Sequence, residues 1–146
     1  MLRNIDPLIN PDLLYALARM GHGDEIVITD ANFPSAAIAA QSVTGRELHI
    51  GCDVVRALGA VLSLFPLDEH QPDPVVTMQV VGAPEECPAT VADALPLLAA
   101  AGVEPTTIER FAFYERAKTA FAVLRTADAR PYGNFILRKG VINPIR

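Results

Sequence analysis

The chain has 146 residues, a formal net charge of −5 and two cysteines. This length fits one domain, residues 1–146, with a core large enough to fold without disulfides or a structural metal. The negative charge argues against a nucleic-acid surface and against binding to anionic membranes, because both need clustered basic residues. The first ten residues lack the apolar core of a signal peptide, and no apolar run approaches the roughly 20 residues that span a bilayer. We therefore expect a cytoplasmic protein.

Short apolar runs alternate with helical patterns along the chain, which is typical of an α/β protein. Asn10 and Pro11 supply a capping side chain and a proline for the first helical position, and Gly21 suits the left-handed residue that follows a helix. The predicted elements, in chain order, are a helix between Asn10 and Gly21, a strand at Glu25–Thr29, a strand at 48–50, a helix from Asp53 to Pro66, a strand at 75–81, helices at 89–101 and 111–118, and strands at 120–125 and 134–137. We predict a three-layer α/β/α sandwich around a mixed, largely parallel sheet.

One histidine lies between the first predicted helix and the first predicted strand, in Gly21-His22-Gly23. The flanking glycines permit a tight turn and leave the imidazole uncrowded, so His22 is a candidate for acid–base chemistry. A solvated loop histidine is the alternative that this pattern also allows. The spacing of His22, Asp24 and Asp30 matches no metal-binding motif, and we expect no metal.

Asp30 directly follows the predicted strand Glu25–Thr29. In open α/β sheets ligands bind outside the carboxyl ends of the strands, so a carboxylate there is well placed to hold a polar ligand. Aspartate is also favoured in turns, where it accepts hydrogen bonds from nearby backbone amides. Both roles remain open for Asp30.

The helix predicted near residue 111 carries a second group of candidate side chains. If this helix includes Arg110, that residue and Tyr114 lie four positions apart on one face, which sets guanidinium donors beside a phenol. Phe111 and Phe113 are assigned to core packing. Tyr114, with its polar tip, can serve either the core or a site.

The segment Tyr132-Gly133-Asn134 enters the last predicted strand. Gly133 allows close approach of the backbone, and its two neighbours supply hydroxyl and amide groups that suit sugar hydroxyls. Turn formation alone is the alternative, because glycine and asparagine both favour turns. No nucleotide-binding glycine motif and no nucleophile elbow occurs in the sequence.

Three segments together resemble the RbsD/FucU family of L-fucose mutarotases and D-ribose pyranases. They are residues 13–34 (LLYALARMGHGDEIVITDANFP), 110–123 (RFAFYERAKTAFAV) and 132–141 (YGNFILRKGV). The resemblance implies a three-layer sandwich and an isomerase that interconverts the anomers, or the ring forms, of a free monosaccharide. It implies no cofactor.

The resemblance also assigns roles to individual residues. His22 would be the acid–base histidine, and Tyr114 and Asp68 would be catalytic residues beside it, with Tyr114 or Tyr132 as a possible proton partner. The sugar would be bound by side chains and backbone from three segments: Asp30, Arg110, Tyr132, Gly133 and Asn134. Arg110 stands where ribose pyranases have histidine, which favours the fucose branch.

Two alternative functions stay open beside a fucose mutarotase: interconversion of ribose pyranose and furanose, and a non-catalytic sugar-binding or transport-accessory module. The family also forms homo-oligomers, from dimers to decameric rings, in which neighbouring subunits can complete one another's pockets. Hydrophobic residues make up 51% of this chain although aromatic residues make up only 6%. We expect part of that apolar excess to be buried between subunits.

Overall fold

The computed structural model describes residues 1–144. Their helices and strands, in chain order, are α1 (Pro11–Arg19), β1 (Glu25–Thr29), α2 (Ser35–Ala39), β2 (Leu48–His49), α3 (Val54–Leu62), β3 (Val75–Met78), α4 (Ala89–Ala100), β4 (Thr106–Ile108), α5 (Arg110–Lys118), β5 (Ala122–Arg125) and β6 (Phe135–Arg138). No helix among residues 1–144 is long and apolar enough to cross a membrane.

The strands form one sheet in the order β2-β5-β1-β6-β3-β4. Strand β5 pairs in parallel with β1 and β2, and β3 pairs in parallel with β4. Strand β6 pairs antiparallel with both β1 and β3. Five strands therefore run in one direction, and the predicted mixed, largely parallel sheet is confirmed. We call the end of the sheet where these five strands finish its carboxyl end, and the opposite end its amino end.

Apolar side chains cover both faces of the sheet. Ile26 and Ile28 of β1 pack with α1, α3 and α4 in one buried cluster, whereas Val27 packs with α2 and α5 in a second cluster. Alternate residues of a strand point to opposite faces, so a continuous apolar run such as this one marks a strand buried on both sides. The helices on the two faces confirm the predicted three-layer α/β/α architecture.

The predicted start signals of α1 and α3 are confirmed. The Asn10 side chain accepts a hydrogen bond from the Leu13 amide at 3.0 Å, and the Asp53 side chain accepts one from the Arg56 amide at 2.8 Å. Each bond satisfies a backbone donor that the first helical turn leaves without a partner, which stabilises a helix by about 0.5–2 kcal/mol.

The predicted end of α1 is wrong in its detail. Helix α1 finishes before Met20, which has an extended backbone, and the left-handed glycine of this segment is Gly23 (φ 85°) rather than Gly21. The physical reason is Lys139, whose Nζ donates to two carbonyl oxygens near the helix end at 3.0 and 2.6 Å. A cation at the carboxyl end of a helix satisfies these carbonyls, so no glycine cap is needed there.

Two short elements and one side chain differ from the sequence prediction. Helix α2 has five residues and β4 has three, and both were missed because segments of that length carry no complete hydrophobic period. Phe113 is fully buried, as predicted, but Phe111 is 60% exposed. The core assignment of Phe111 is therefore wrong, since its ring lies outside the stripe of α5 that faces the sheet.

A buried carboxylate, Asp128, joins the loop before β6 to two helices. It accepts hydrogen bonds from the Val54 amide at the start of α3 and from the backbone and guanidinium of Arg130. Arg130 in turn reaches Asp93 on α4 at 2.7 Å. The Arg130 side chain lowers the pKa of Asp128 from its ordinary 3.8 to about 2, although burial acts in the opposite direction.

We predict that the Asp128→Asn variant is destabilised by about 2 kcal/mol at pH 7, because a pKa lowered by nearly two units corresponds to roughly that free energy. A carboxyl group with a depressed pKa in the folded state stabilises the protein fully above pH 4, and this contribution disappears as the pH falls to about 2. Urea unfolding between pH 7 and pH 2 measures both effects. The control is Asp93→Asn, because the Asp93 side chain is 60% exposed and its ion pair is worth little. Equal stability of Asp128→Asn and the wild type would contradict this assignment.

Candidate functional site

The predicted site residues lie in two groups at opposite ends of the sheet. His22 precedes β1 at the amino end, and Asp30 follows β1 at the carboxyl end. The five-residue strand between them rises about 3.3 Å per residue, so its own ends are roughly 13 Å apart. One subunit therefore does not bring His22 and Asp30 into a common pocket.

The first group, which we call the histidine cluster, consists of His22, Asp68 and His70. The Nε2 atom of His22 lies 3.3 Å from Oδ2 of Asp68, and the two side chains are 52% and 2% exposed. The other carboxylate oxygen, Oδ1, accepts a hydrogen bond from the His70 backbone amide at 3.1 Å. The imidazole rings of His22 and His70 meet edge to face, with centroids 6.5 Å apart.

The charge of Asp68 decides how His22 is protonated. Burial raises the pKa of Asp68, but the hydrogen bonds from the His70 amide and the His22 ring outweigh burial and hold that pKa below its ordinary value. An ionised Asp68 can accept a hydrogen bond from the N–H group at Nε2 of His22. The neutral imidazole then presents the lone pair of Nδ1, which is the nitrogen that can act on a ligand.

The backbone around the histidine cluster is fixed by the end of β6. The Gly23 amide donates to the Lys139 carbonyl at 2.8 Å, and the Asp68 amide donates to the Arg138 carbonyl at 3.1 Å. At Gly140 a Cβ atom would lie only 2.3 Å from the Leu67 carbonyl oxygen, so only glycine allows this close approach. The loops that carry His22 and Asp68 are therefore held side by side by one segment, whose role sequence reasoning missed.

The space beside Asp68 is a cavity of about 410 Å³. Its lining combines apolar residues, Phe65, Leu67 and Val103 among them, with polar ones, and Glu69 lies at the same cavity as Asp68. Ligand pockets commonly have volumes of about 300–1,000 Å³ and combine apolar walls with a few polar groups. Asp68 is the member of the histidine cluster that lines this space, which is large enough for a small polar ligand.

The second group, which we call the strand-end cluster, consists of Asp30, Tyr132, Gly133 and Asn134. Oδ1 of Asp30 accepts hydrogen bonds from the amides of Asn32 and Phe33 at 2.8 and 2.9 Å. Its Oδ2 accepts one from the Gly133 amide at 2.9 Å, while the Asp30 amide donates to the Asn134 side chain at 3.2 Å. Asp30 therefore accepts hydrogen bonds from nearby backbone amides, as predicted for an aspartate in a turn. Its direct contact with a ligand stays a prediction.

The Tyr132-Gly133 pair is held in a tight backbone arrangement. Tyr132 has a left-handed backbone (φ 59°), and its hydroxyl oxygen accepts a hydrogen bond from the Val81 amide at 3.2 Å. A Cβ atom at Gly133 would lie 3.2 Å from the Thr90 side chain and 3.3 Å from that of Asp30. Gly133 thus permits the close contact between this loop and Asp30, in agreement with its predicted role.

Arg110 carries an unsatisfied buried nitrogen at the same end of the sheet. It begins α5, directly after Glu109, whose side chain caps the helix by accepting from two backbone amides. The guanidinium carbon lies 4.6 Å from the centroid of the Phe111 ring, and the buried Nε atom has no hydrogen-bond partner within residues 1–144. A buried donor without a partner costs about 1–3 kcal/mol, and a ligand oxygen would remove that cost.

Tyr114 is half-buried on α5, four residues after Arg110. Its ring packs edge to face against Phe33 at 5.5 Å and against Phe111 at 6.2 Å between centroids. Phe33 follows Asp30 in the loop after β1, so Tyr114 belongs to the carboxyl end of the sheet and is separated from His22 within one subunit. The described residues contain no group of three or more His, Cys, Asp or Glu side chains placed to hold a metal.

Known proteins share both the fold and much of the sequence of this chain. The fold is that of small α/β proteins whose solved structures include sugar complexes. A model of the RbsD / FucU transport protein family matches residues 3–142, and the chain belongs to this family.

Several members of the family resemble this chain over nearly its full length. It is 44% identical to fucose mutarotase of Homo sapiens, over 99% of this chain and 97% of that protein, and 42% identical to fucose mutarotase of Bos taurus, over 99% and 96%. The crystal structure of the fucose mutarotase from Streptococcus pneumoniae in complex with L-fucose has a TM-score of 0.84 and 36% identity, covering 97% of this chain and 100% of that one. Bacillus subtilis RbsD, solved with D-ribose, shares the fold with a TM-score of 0.72 at 21% identity, covering 98% and 100%.

Proposed function

We propose that this protein is a mutarotase that interconverts the α and β anomers of L-fucose or a closely related monosaccharide. The observation that carries the proposal is the half-exposed His22 imidazole with its Nε2 atom on the buried Asp68 carboxylate. Its relatives at 42–44% identity over nearly their full length are fucose mutarotases. We propose that the enzyme acts on a free sugar in the cytoplasm.

The chemistry requires one proton to leave the sugar and another to arrive. The anomeric hydroxyl loses its proton, the bond between the anomeric carbon and the ring oxygen breaks, and the ring oxygen gains a proton. The open aldehyde turns, and the ring closes on the other face by the reverse steps. Positioned acid–base catalysis contributes roughly 10²- to 10⁴-fold, which suffices for a reaction that already proceeds in water.

We propose that two subunits form each active site. The histidine cluster of one subunit would supply acid–base chemistry, and the partner's strand-end cluster, with Arg110 and Tyr114, would hold the sugar hydroxyls. The separation of roughly 13 Å across β1 supports this arrangement, because one chain alone does not bring the two groups together. The 51% of hydrophobic residues is consistent with an oligomer that buries apolar surface between subunits.

Arg110 supports fucose over ribose as the substrate. Its buried Nε donor has no partner within the described chain, and an arginine fork can hold two sugar oxygens at once. The S. pneumoniae relative was solved with L-fucose. Interconversion of ribose ring forms and sugar binding without catalysis are the two alternative functions. NMR measurements of anomer exchange distinguish them from fucose mutarotation.

We expect the wild-type protein to accelerate exchange between the two anomeric proton signals of L-fucose in NMR saturation-transfer measurements. Parallel measurements with D-galactose and D-ribose rank the substrates, and L-fucose is expected to exchange fastest. Heat-denatured protein at the same concentration is the control for uncatalysed mutarotation. Broadening of the sugar signals without faster exchange would instead identify a sugar-binding module.

A further inference from the structure

His22 and Asp68 have roles in the proposed mechanism, whereas His70, the third residue of the histidine cluster, has none so far. It lies in the loop before β3, and its ring stands edge-on to that of His22 at 6.5 Å between centroids, with an angle of 72° between the ring planes. We propose that the His70 imidazole is a second proton-transfer group of the reaction, acting on the ring oxygen while His22 acts on the anomeric hydroxyl. This inference rests on the proposed mutarotase function.

Asp68 holds the two histidines in one arrangement. One carboxylate oxygen lies by Nε2 of His22, and the other accepts a hydrogen bond from the backbone amide of His70, which fixes the backbone from which the His70 ring extends. Both imidazoles are solvent-accessible, whereas the carboxylate between them is buried. Two imidazoles therefore lie beside one buried anion, with their rings in edge-to-face contact.

Apart from Glu69, the other charged groups around the cluster are already engaged. Asp24 accepts the Gly21 amide at 2.7 Å, and the Lys139 ammonium is bound to carbonyl oxygens at the end of α1. At the far end of the His70 loop, Asp73 pairs with two arginines, at 3.0 and 3.1 Å. Glu69 lies at the cavity beside Asp68. Histidine is the residue type that commonly serves as both general acid and general base, and this cluster contains two of them.

The proposed step balances in protons and bonds. Neutral His22 takes the proton of the anomeric hydroxyl at Nδ1, the anomeric carbon becomes a carbonyl as its bond to the ring oxygen breaks, and protonated His70 gives its proton to the ring oxygen. Ring closure on the other face returns the ring-oxygen proton to His70 and the His22 proton to the new anomeric hydroxyl. No oxidant, metal or further reactant is required.

The active state therefore contains one neutral and one protonated imidazole, so the exchange rate of the wild type should follow a bell-shaped pH profile. Replacing His70 by glutamine should lower the rate at its optimum by at least about 10-fold, and the fall at alkaline pH should disappear because only neutral His22 is then required. Replacing His70 by tyrosine keeps a donor that ionises near pH 10, so the alkaline fall should move to higher pH.

The measurement is NMR saturation transfer with L-fucose from pH 5 to pH 11, corrected for uncatalysed exchange at each pH, on wild type, His70→Gln, His70→Tyr and His49→Gln. The chain has three histidines, and His49 pairs with Glu47 outside the cluster, so His49→Gln should keep the wild-type profile. Thermal unfolding and a fucose titration of each variant check folding and binding, both expected to be unchanged because the His70 side chain is exposed and its backbone amide remains.

Two results would overturn the role of His70 while leaving the proposed function in place. One is a His70→Gln variant with the wild-type rate and profile; the other is a rate loss of equal size at every pH, which indicates a purely structural effect. A wild-type protein that does not accelerate anomer exchange overturns the proposed function, and this inference with it. The two failures are therefore distinguishable in one data set.

Discussion

Replacing His22 by alanine is expected to lower the rate of L-fucose anomer exchange by roughly 10²- to 10⁴-fold, the range that a positioned acid–base group contributes. The reason is that Nε2 of His22 is occupied by Asp68, which leaves Nδ1 of a half-exposed ring as the basic atom directed to a ligand. Saturation transfer between the anomeric proton signals measures this rate directly.

The fold and the binding of sugar should both survive this substitution. His22 is half-exposed in a loop, and the proposed sugar-binding groups lie at the other end of the sheet. A matched control is His49→Ala, which removes an exposed imidazole from a pair with Glu47. A His22→Ala protein that exchanges the anomers at the wild-type rate would refute the assignment of His22, whatever the activity of the wild type.

Local sequence signals were sufficient for the layers of the fold. The cap at Asn10 and the run Ile26, Val27 and Ile28 depend on neighbouring residues alone, because helix capping and burial on both faces leave short-range patterns. The order of the strands and the antiparallel direction of β6 depend on pairings with residues 30 or more positions away. Those pairings leave no periodic signal in the sequence.

The sequence indicated candidate site residues but not how they are arranged. Asp30 and Asn134 were selected for their positions near strand ends, and they meet through the bond from the Asp30 amide to the Asn134 side chain. The placement of His22 and Asp30 at opposite ends of β1 could have been derived from the strand between them. The orphaned Nε of Arg110 could not, because it reflects burial by residues distant in sequence.

The buried carboxylate of Asp128 shows another limit on what local sequence patterns can predict. The strands predicted at 120–125 and 134–137 leave Asp128 in the segment that connects them, where aspartate is a common turn former. The structure makes Asp128 the link between the start of α3 and the loop before β6, and its backbone oxygen also accepts the Ala31 amide at 2.8 Å. A carboxylate that joins three segments cannot be distinguished from a local turn residue without their relative positions.

The separation of the two clusters predicts that two inactive variants will restore activity when they are combined. His22→Ala removes the acid–base group of a subunit, and Arg110→Ala removes a proposed sugar contact, so each protein alone should be inactive or nearly so. If sites form between subunits, a mixed oligomer contains some sites with an intact histidine cluster from one chain and an intact Arg110 from the other. In a random 1:1 mixture, the chain that supplies the histidine cluster is intact in half of the sites, and the chain that supplies Arg110 is intact in half of those. About a quarter of the sites are then complete, so we expect about a quarter of the wild-type rate.

The experiment is denaturation of the two variants together, refolding, and measurement of fucose anomer exchange. Variants refolded separately and mixed afterwards are the control for exchange of subunits during the assay. Analytical ultracentrifugation of the wild type at micromolar concentration should show no stable monomer, because a lone subunit leaves the two clusters apart. A mixed sample with no more activity than its components would place each complete site within one chain, and a monodisperse monomer that catalyses exchange would do the same. Recovery near a quarter is expected only when the histidine of one subunit meets the arginine of another.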